Sequence, residues 1–187
     1  LQKMARVGVN GVWLQAVLYK LAPYPWEPHL SEHFEERLQS LRKLVARAKK
    51  HGIRIYLYLN EPRSMPLSFF KAHPELKGVM EGDYTTVCTS LPAVREYLSS
   101  SIASICKAVP DIGGFFTITA SENLTSCWSH GKGAQCPRCA GRGAAEVIAE
   151  VNTAIYEGIK RTKSSARLLA WDWGWGSDMA EKTIRLL

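Results

Sequence analysis

Four apolar segments along the chain each end at polar or acidic residues, and sequence with a helical pattern separates them. The segments are residues 12–15, 56–61, 115–122 and 168–173. Short apolar runs bounded by turn residues are typical of strands, and strands that alternate with helices predict parallel βαβ units. The pattern therefore predicts an α/β fold with about four parallel βα units, which is half of a (β/α) barrel, or TIM barrel.

Apolar residues at helical spacing predict the helices between these strands. The stripes are Leu38, Leu41, Val45 and Ala48, then Val94, Leu98, Ile102, Ile105 and Val109, and finally Val147, Val151, Ile155 and Ile159. Ser90 is expected to cap the second helix. The connection from residue 62 to residue 91 exceeds the usual βα loop and favours an active-site excursion, with a short helix near 67–73 and a turn at 81–83.

The length of the chain limits how much of a barrel it can form. A complete barrel usually needs ~250 residues or more, and this chain has 187. We therefore expect one partial barrel domain over residues 1–187, with a Cys-rich loop at 123–143 and a helix at 179–187. The two open strand edges of a half barrel favour self-association.

Composition excludes several classes of function. The formal charge is +7, from 24 Lys and Arg against 17 Asp and Glu. The basic residues lie mainly on predicted helix faces and no nucleic-acid motif accompanies them, so we expect no nucleic-acid partner. No apolar run approaches the ~20 residues that cross a bilayer, so we expect no membrane partner, and the first residues lack the layout of a signal peptide.

Glu122 follows the third predicted strand, where loops of a barrel converge on one face. A carboxylic acid held there among apolar side chains has a raised pKa and can protonate a leaving group. The alternative is that Glu122 caps the following loop.

Three short stretches resemble the barrel glycoside hydrolases of the hexosaminidase-type family twenty and the alpha-glucuronidase family sixty-seven. They are residues 117–123 after Gly113-Gly114, residues 58–63 and residues 171–175. In these families the fourth strand ends in a catalytic Glu, so the resemblance implies a carbohydrate substrate and Glu122 as the general acid. Family twenty carries an Asp-Glu pair at this point, whereas Ser121 precedes Glu122 here, which is closer to the alpha-glucuronidase pattern.

Glycoside hydrolysis usually needs a second carboxyl group, either ~5 Å or ~6.5 to 9.5 Å from the first. Asp172, between two Trp residues, and Glu61 are the candidates within the chain. Asn60, Glu61 and Arg63 either bind substrate or form a structural ion pair and turn. Arg63 can also hold a substrate carboxylate through its two-pronged donor set.

Aromatic side chains near the strand ends suit the stacking of a sugar ring. Trp173 and Trp175 stand among glycines and are expected to be accessible, whereas Trp13 and Trp171 are expected in the barrel core. Gln15 and Tyr19 follow the first strand and can add polar contacts.

Cysteine spacing in the loop after Glu122 predicts a metal site. Cys127 and His130, followed by Cys136 and Cys139, offer three thiolates and one imidazole, which suits structural Zn²⁺. A disulfide within the loop and free thiols remain as alternatives. Of the five Cys residues, Cys88 and Cys106 are expected to stand apart.

Together with these patterns, the resemblance implies part of the catalytic domain of a glycoside hydrolase that uses carboxylate acid/base chemistry. A second hypothesis is a non-catalytic carbohydrate-binding or scaffold module with a zinc-stapled loop. A third is a barrel hydrolase whose catalytic metal is held by strand-end carboxylates.

Overall fold

The computed structural model describes residues 1–187 and contains seven strands and six α-helices. The strands are β1 (Gly11–Ala16), β2 (Arg54–Leu59), β3 (Met65–Pro66), β4 (Lys77–Glu81), β5 (Tyr84–Val87), β6 (Gly114–Ile118) and β7 (Arg167–Trp171). The helices are α1 (Gln2–Arg6), α2 (Phe34–Lys49), α3 (Phe69–Ala72), α4 (Pro92–Ala108), α5 (Ala144–Lys160) and α6 (Ser177–Leu186). None of these helices combines the length and apolar character required to span a bilayer.

A parallel sheet of four strands in the order β1-β2-β6-β7 forms the centre of the molecule. The register pairs Gly11 with Arg54 and Tyr58 with Phe116. Helices separate the strands along the chain, so every connection between neighbouring strands is a crossover. The predicted α/β fold with four parallel strands is therefore confirmed at this level.

The helices cover one face of this sheet. Alternate residues of β2, namely Ile55, Leu57 and Leu59, are buried together with Phe115 of β6 in the main hydrophobic core. Helices α4 and α5 pack against each other so closely at Gly158 that a Cβ there would collide with a carbonyl oxygen of α4. The close approach fixes where α5 sits behind β6.

The opposite face of the sheet carries an aromatic row that crosses all four strands. Ring centroids are 5.2 Å apart for Trp13 and Tyr58, 5.6 Å for Tyr58 and Phe116, and 5.4 Å for Phe116 and Trp171. Trp13 is 59% exposed and Trp171 is 43% exposed. The expectation that these two rings belong to the core is therefore wrong, because no element of the described chain covers this face.

The long connection between β2 and α4 forms a second, antiparallel sheet in the order β3-β5-β4. The short helix expected near 67–73 is present as α3, and the turn expected at 81–83 joins β4 to β5. The three strands themselves are too short to show a period in the sequence.

Ser90 does not cap α4, contrary to expectation. The helix begins at Pro92 without a side-chain cap, and Pro suits the first turn because it lacks the N–H that would need a partner. The Ser90 hydroxyl instead accepts a hydrogen bond from Arg142 at 2.9 Å and lies 3.3 Å from the Cys139 sulfur. It therefore belongs to the surroundings of the cysteines.

Candidate functional site

The loops after β2, β6 and β7 meet at the carboxyl ends of these strands. The side-chain amide of Asn123 donates to the Asn60 side-chain oxygen at 3.3 Å. The indole N–H of Trp175 donates to the Thr119 carbonyl oxygen at 2.6 Å. Gly174 lies against Ser121, since a Cβ at Gly174 would be 2.6 Å from the Ser121 hydroxyl. Three adjacent strand ends thus build one continuous rim.

Glu122 and Asp172 both lie on this rim. Each residue is exposed, and neither carboxylate has a partner among the hydrogen bonds and ion pairs of the structure. The apolar enclosure expected around the Glu122 carboxyl is therefore not present. Both groups are free to contact a ligand from solution.

Hydroxyl groups hold the backbone that presents Glu122. Ala120 has a positive φ of 53°, a conformation that is uncommon for a residue other than glycine and that clusters at functional sites. Its N–H donates to the Thr125 hydroxyl at 2.9 Å. The Ser129 hydroxyl accepts from the N–H groups of Thr125 and Ser126, both at 3.0 Å. These bonds define the path of the loop on either side of Glu122.

A buried polar contact fixes β6 to the helix behind it. The Thr117 hydroxyl donates to the Asn152 side-chain oxygen at 2.8 Å, and the Asn152 amide donates to the Ile148 carbonyl oxygen at 3.1 Å. Thr117 and Asn152 are both buried. The strand that leads to Glu122 is thus anchored to α5 by polar groups as well as by packing.

Backbone hydrogen bonds hold Glu61 at the end of β2, and it forms no ion pair with Arg63. It is only 3% exposed, and its two oxygens accept from the N–H of Leu18 at 2.8 Å and the N–H of Arg63 at 3.1 Å. Burial raises the pKa of the Glu61 carboxyl to about 7, although both hydrogen bonds oppose that shift. Glu61 therefore joins the chain after β1 to the end of β2.

The other predicted polar contacts are distributed around the same end of the sheet. Asn60 is buried and Gln15 is exposed. Tyr19 is half-buried against Tyr24, with ring centroids 5.6 Å apart, and burial followed by the charge of Glu61 raises the pKa of its hydroxyl. Arg63 has a buried Nε without a hydrogen-bond partner. Of these residues only Asn60 forms a hydrogen bond with the loop that carries Glu122.

The aromatic row on the open face of the sheet continues to the rim. Trp173 stacks on Trp171 with ring centroids 5.3 Å apart and an angle of 19° between the planes. Trp173 is 46% exposed, in agreement with the expectation of an accessible ring. Trp175 is partly buried, and its indole N–H is engaged with the Thr119 carbonyl oxygen.

Four buried cysteines form a cluster beside this rim. The sulfur atoms of Cys88, Cys127, Cys136 and Cys139 all lie within 4.8 Å of one another. The Cys88 sulfur is 3.7 Å from that of Cys136 and 3.8 Å from that of Cys139. All five cysteines of the chain are free thiols, and Cys106 lies apart in α4. The four clustered thiols can hold a metal ion.

The composition of the cluster differs from the predicted set at one position. His130 is exposed, and its Nδ1 lies 3.0 Å from both carboxylate oxygens of Glu81. Cys88 occupies the fourth position instead. Cys88 follows β5 directly, and the hairpin of β4 and β5 carries it to the Cys-rich loop. Sequence spacing gave no signal for it, because 48 positions separate Cys88 from Cys136.

Hydrogen bonds within the cluster favour the thiolate form at Cys88, whereas hydrogen bonds to Cys139 and Cys88, together with burial, raise the pKa of the Cys127 thiol. Hydrogen bonds from the Cys127 and Cys139 thiols lower the pKa of the Cys88 thiol, and the Arg138 guanidinium contributes in the same direction. Arg138 donates from its Nε to the Cys88 sulfur at 3.3 Å. Gly78 leaves room for Cys127, because a Cβ at Gly78 would be 2.7 Å from that sulfur. Thiolates are the form that binds metal.

Neither the models of known protein families nor the curated protein sequences match this chain. Its function is therefore inferred from the side chains themselves.

Proposed function

We propose that this chain forms part of the catalytic domain of a glycoside hydrolase with a (β/α) barrel architecture, in which Glu122 is the general acid. The observation that carries the proposal is the contact between Ser121 and Gly174. These residues are the immediate neighbours of Glu122 and Trp173, so an exposed carboxyl group and an exposed indole ring belong to the same rim.

The chemistry assigned to these groups follows from their positions. The flat apolar face of an indole suits a pyranose ring, and Trp173 offers such a face next to the loop of Glu122. A carboxylic acid beside the bound sugar can protonate the glycosidic oxygen as the bond breaks. Asp172 is the second carboxylate, which either contacts a sugar hydroxyl or stabilises positive charge on the ring.

Glu122→Gln tests the proposal, because glutamine keeps the size and polarity of the side chain but cannot donate an acidic proton. We expect hydrolysis of chromogenic aryl glycosides to fall by about 10²- to 10⁴-fold, the usual contribution of a general acid, while sugar binding measured by calorimetry is retained. Glu181→Gln on α6 is the matched control, since Glu181 is also exposed but lies on another element.

Two outcomes would contradict the glycoside hydrolase proposal. Unchanged turnover in Glu122→Gln would refute the acid role of Glu122. Sugar binding by the unsubstituted protein without any turnover would favour the alternative, a non-catalytic carbohydrate-binding or scaffold module.

The metal at the four cysteines is proposed to be zinc. A tetrahedral Zn²⁺ with Zn–S bonds of ~2.3 Å places its sulfur ligands about 3.8 Å apart, and the Cys88 sulfur lies 3.7 Å and 3.8 Å from two of its neighbours. Four thiolates fill the coordination shell, so the role is structural rather than catalytic. The ion would connect the end of β5 to the loop that follows Glu122.

Metal analysis of protein purified under reducing conditions tests this part of the proposal. We expect about one zinc ion per chain, as one closed Cys₄ site holds, and loss of the zinc in Cys136→Ser. Iron in place of zinc would overturn the identity of the metal. Zinc that survives Cys136→Ser would instead favour a site built from strand-end carboxylates.

A further inference from the structure

A cavity of about 440 Å³ lies beside β1 and α2, on the face of the sheet that the helices cover. Its apolar wall includes Leu14 of β1, Leu57 of β2 and Leu41 of α2. Successive residues of a strand point to opposite faces, so Leu14 and Leu57 project away from the face that carries Trp13 and Tyr58. The leucine wall of the cavity therefore lies on the opposite face of the sheet from the aromatic row, and Gln15 and Arg63 line the cavity at the ends of β1 and β2.

Three cations and no acidic residue line this cavity. Lys20 donates to the Leu30 carbonyl oxygen at 2.7 Å, and Arg37 donates to the Glu32 carbonyl oxygen. Carbonyl groups satisfy donors without neutralising their charge, and none of Lys20, Arg37 and Arg63 takes part in an ion pair. An apolar space bordered by cations that form no ion pair attracts an anion.

Arg63 is the least satisfied of the three cations. Its Nε is buried and has no hydrogen-bond partner, and a buried donor left unpaired is unfavourable. The Glu61 carboxyl lies close enough to the Arg63 guanidinium for the two charges to interact. Its oxygens accept hydrogen bonds from the backbone N–H groups of Leu18 and Arg63 and not from that guanidinium. The guanidinium remains available to a ligand.

We propose that this cavity binds a small organic carboxylate with an apolar tail. The carboxylate would pair with Arg63, within the field of Lys20 and Arg37, and the tail would pack against the leucine side chains. Arg suits this task because its planar donor set matches a carboxylate. The volume lies within the ~300–1,000 Å³ of typical small-molecule sites, and the apolar wall disfavours a free inorganic anion or a sugar.

Titration with hexanoate and with hexan-1-ol, followed by NMR chemical shifts, tests the proposal, since the two probes share a tail and differ in charge. We expect saturable binding of hexanoate and binding of hexan-1-ol that is weaker by about tenfold or more, because a hydrogen bond to a charged group contributes about 1.5–3 kcal/mol. Equal affinities for the two probes, or no saturable binding of hexanoate, would overturn the proposal.

Substitutions of single cations test whether hexanoate binds in this cavity. Arg63→Met is expected to weaken hexanoate binding by about tenfold or more on the same basis. Lys43→Met is the matched control, because Lys43 is an exposed cation on α2 that does not line the cavity, and it should leave binding unchanged. An equal loss in the control would show that only the overall charge matters.

Two further measurements keep the test decisive. Circular dichroism melting establishes that each variant is folded. If Arg63→Met does not fold, Lys20→Met is used in its place, because Lys20 also lines the cavity. Glu122→Gln should leave hexanoate binding unchanged, so this proposal and the glycoside hydrolase proposal can fail independently.

Discussion

The sulfur atoms of Cys88 and Cys136 lie 3.7 Å apart, although 48 positions separate the two residues along the chain. Cys88 directly follows β5 of the small antiparallel sheet, and Cys136 belongs to the loop between β6 and α5. The contact brings together two long connections that leave the carboxyl end of the parallel sheet, one between β2 and α4 and the other between β6 and α5. A metal at this point would therefore stabilise long-range structure beside the candidate catalytic rim.

Cys88→Ser is predicted to remove the metal, whereas His130→Asn is predicted to retain it. The reason is that Cys88 completes the four-sulfur cluster and His130 pairs with Glu81. For Cys88→Ser we expect metal affinity to fall by on the order of 100-fold or more and the melting temperature to fall by ~5 °C or more. Metal content and thermal melting of the two variants check this. Loss of metal in His130→Asn would contradict this prediction and would support His130 as a ligand, as the sequence spacing predicted.

Sequence patterns predicted the strands and helices whose hydrophobic pattern lies within one segment of the chain. The four strands of the parallel sheet and the helices α2, α4 and α5 follow from hydrophobic patterns that a single segment carries. Cys88 could not be assigned in this way, because its partners lie on another loop and no spacing rule joins the two. Trp13 fits a strand face, but the sequence does not say whether anything covers that face.

Stability is predicted to fall as pH rises, because of Glu61. Burial raises its pKa from 4.5 to about 7 in the folded chain. Below about pH 4.5 the carboxyl is protonated in both states and its contribution is complete. Between 4.5 and 7 the unfolded chain ionises first, so the contribution is lost progressively, by roughly 3 kcal/mol in total.

Urea unfolding at several pH values measures this loss, and Glu61→Gln should reduce the slope because glutamine does not ionise. Glu181→Gln, at an exposed position on α6, should keep the slope of the original protein. A slope in Glu61→Gln as steep as that of the original protein would show that other groups cause the dependence.

Gly158→Ala is predicted to destabilise the packing of α4 against α5. A Cβ at this position would collide with the Ser99 carbonyl oxygen and would lie 2.7 Å from the Ile102 Cβ. Overpacking of this kind costs about 1–3 kcal/mol, which exceeds the ~1 kcal/mol that alanine gains over glycine within a helix. Chemical denaturation checks the result, with Gly141→Ala as control because nothing lies within 4 Å of a Cβ there. Equal stability of the two variants would mean that the helices separate without cost.

Trp173→Ala is predicted to weaken sugar binding if the aromatic row at the rim is a stacking surface. Trp173 is held parallel to Trp171 and remains 46% exposed, so one indole face is supported while the other meets solvent. Loss of such a face removes about 1 kcal/mol of binding free energy, or roughly a fivefold change in affinity.

Tyr156→Ala is the matched control, because Tyr156 is 49% exposed but lies on α5, away from the rim. Calorimetric titration of both variants with the same oligosaccharide separates the effects. If both variants bind as the original protein does, Trp173 has no part in recognition, and the rim would have to hold a ligand through Glu122, Asp172 and their polar neighbours alone.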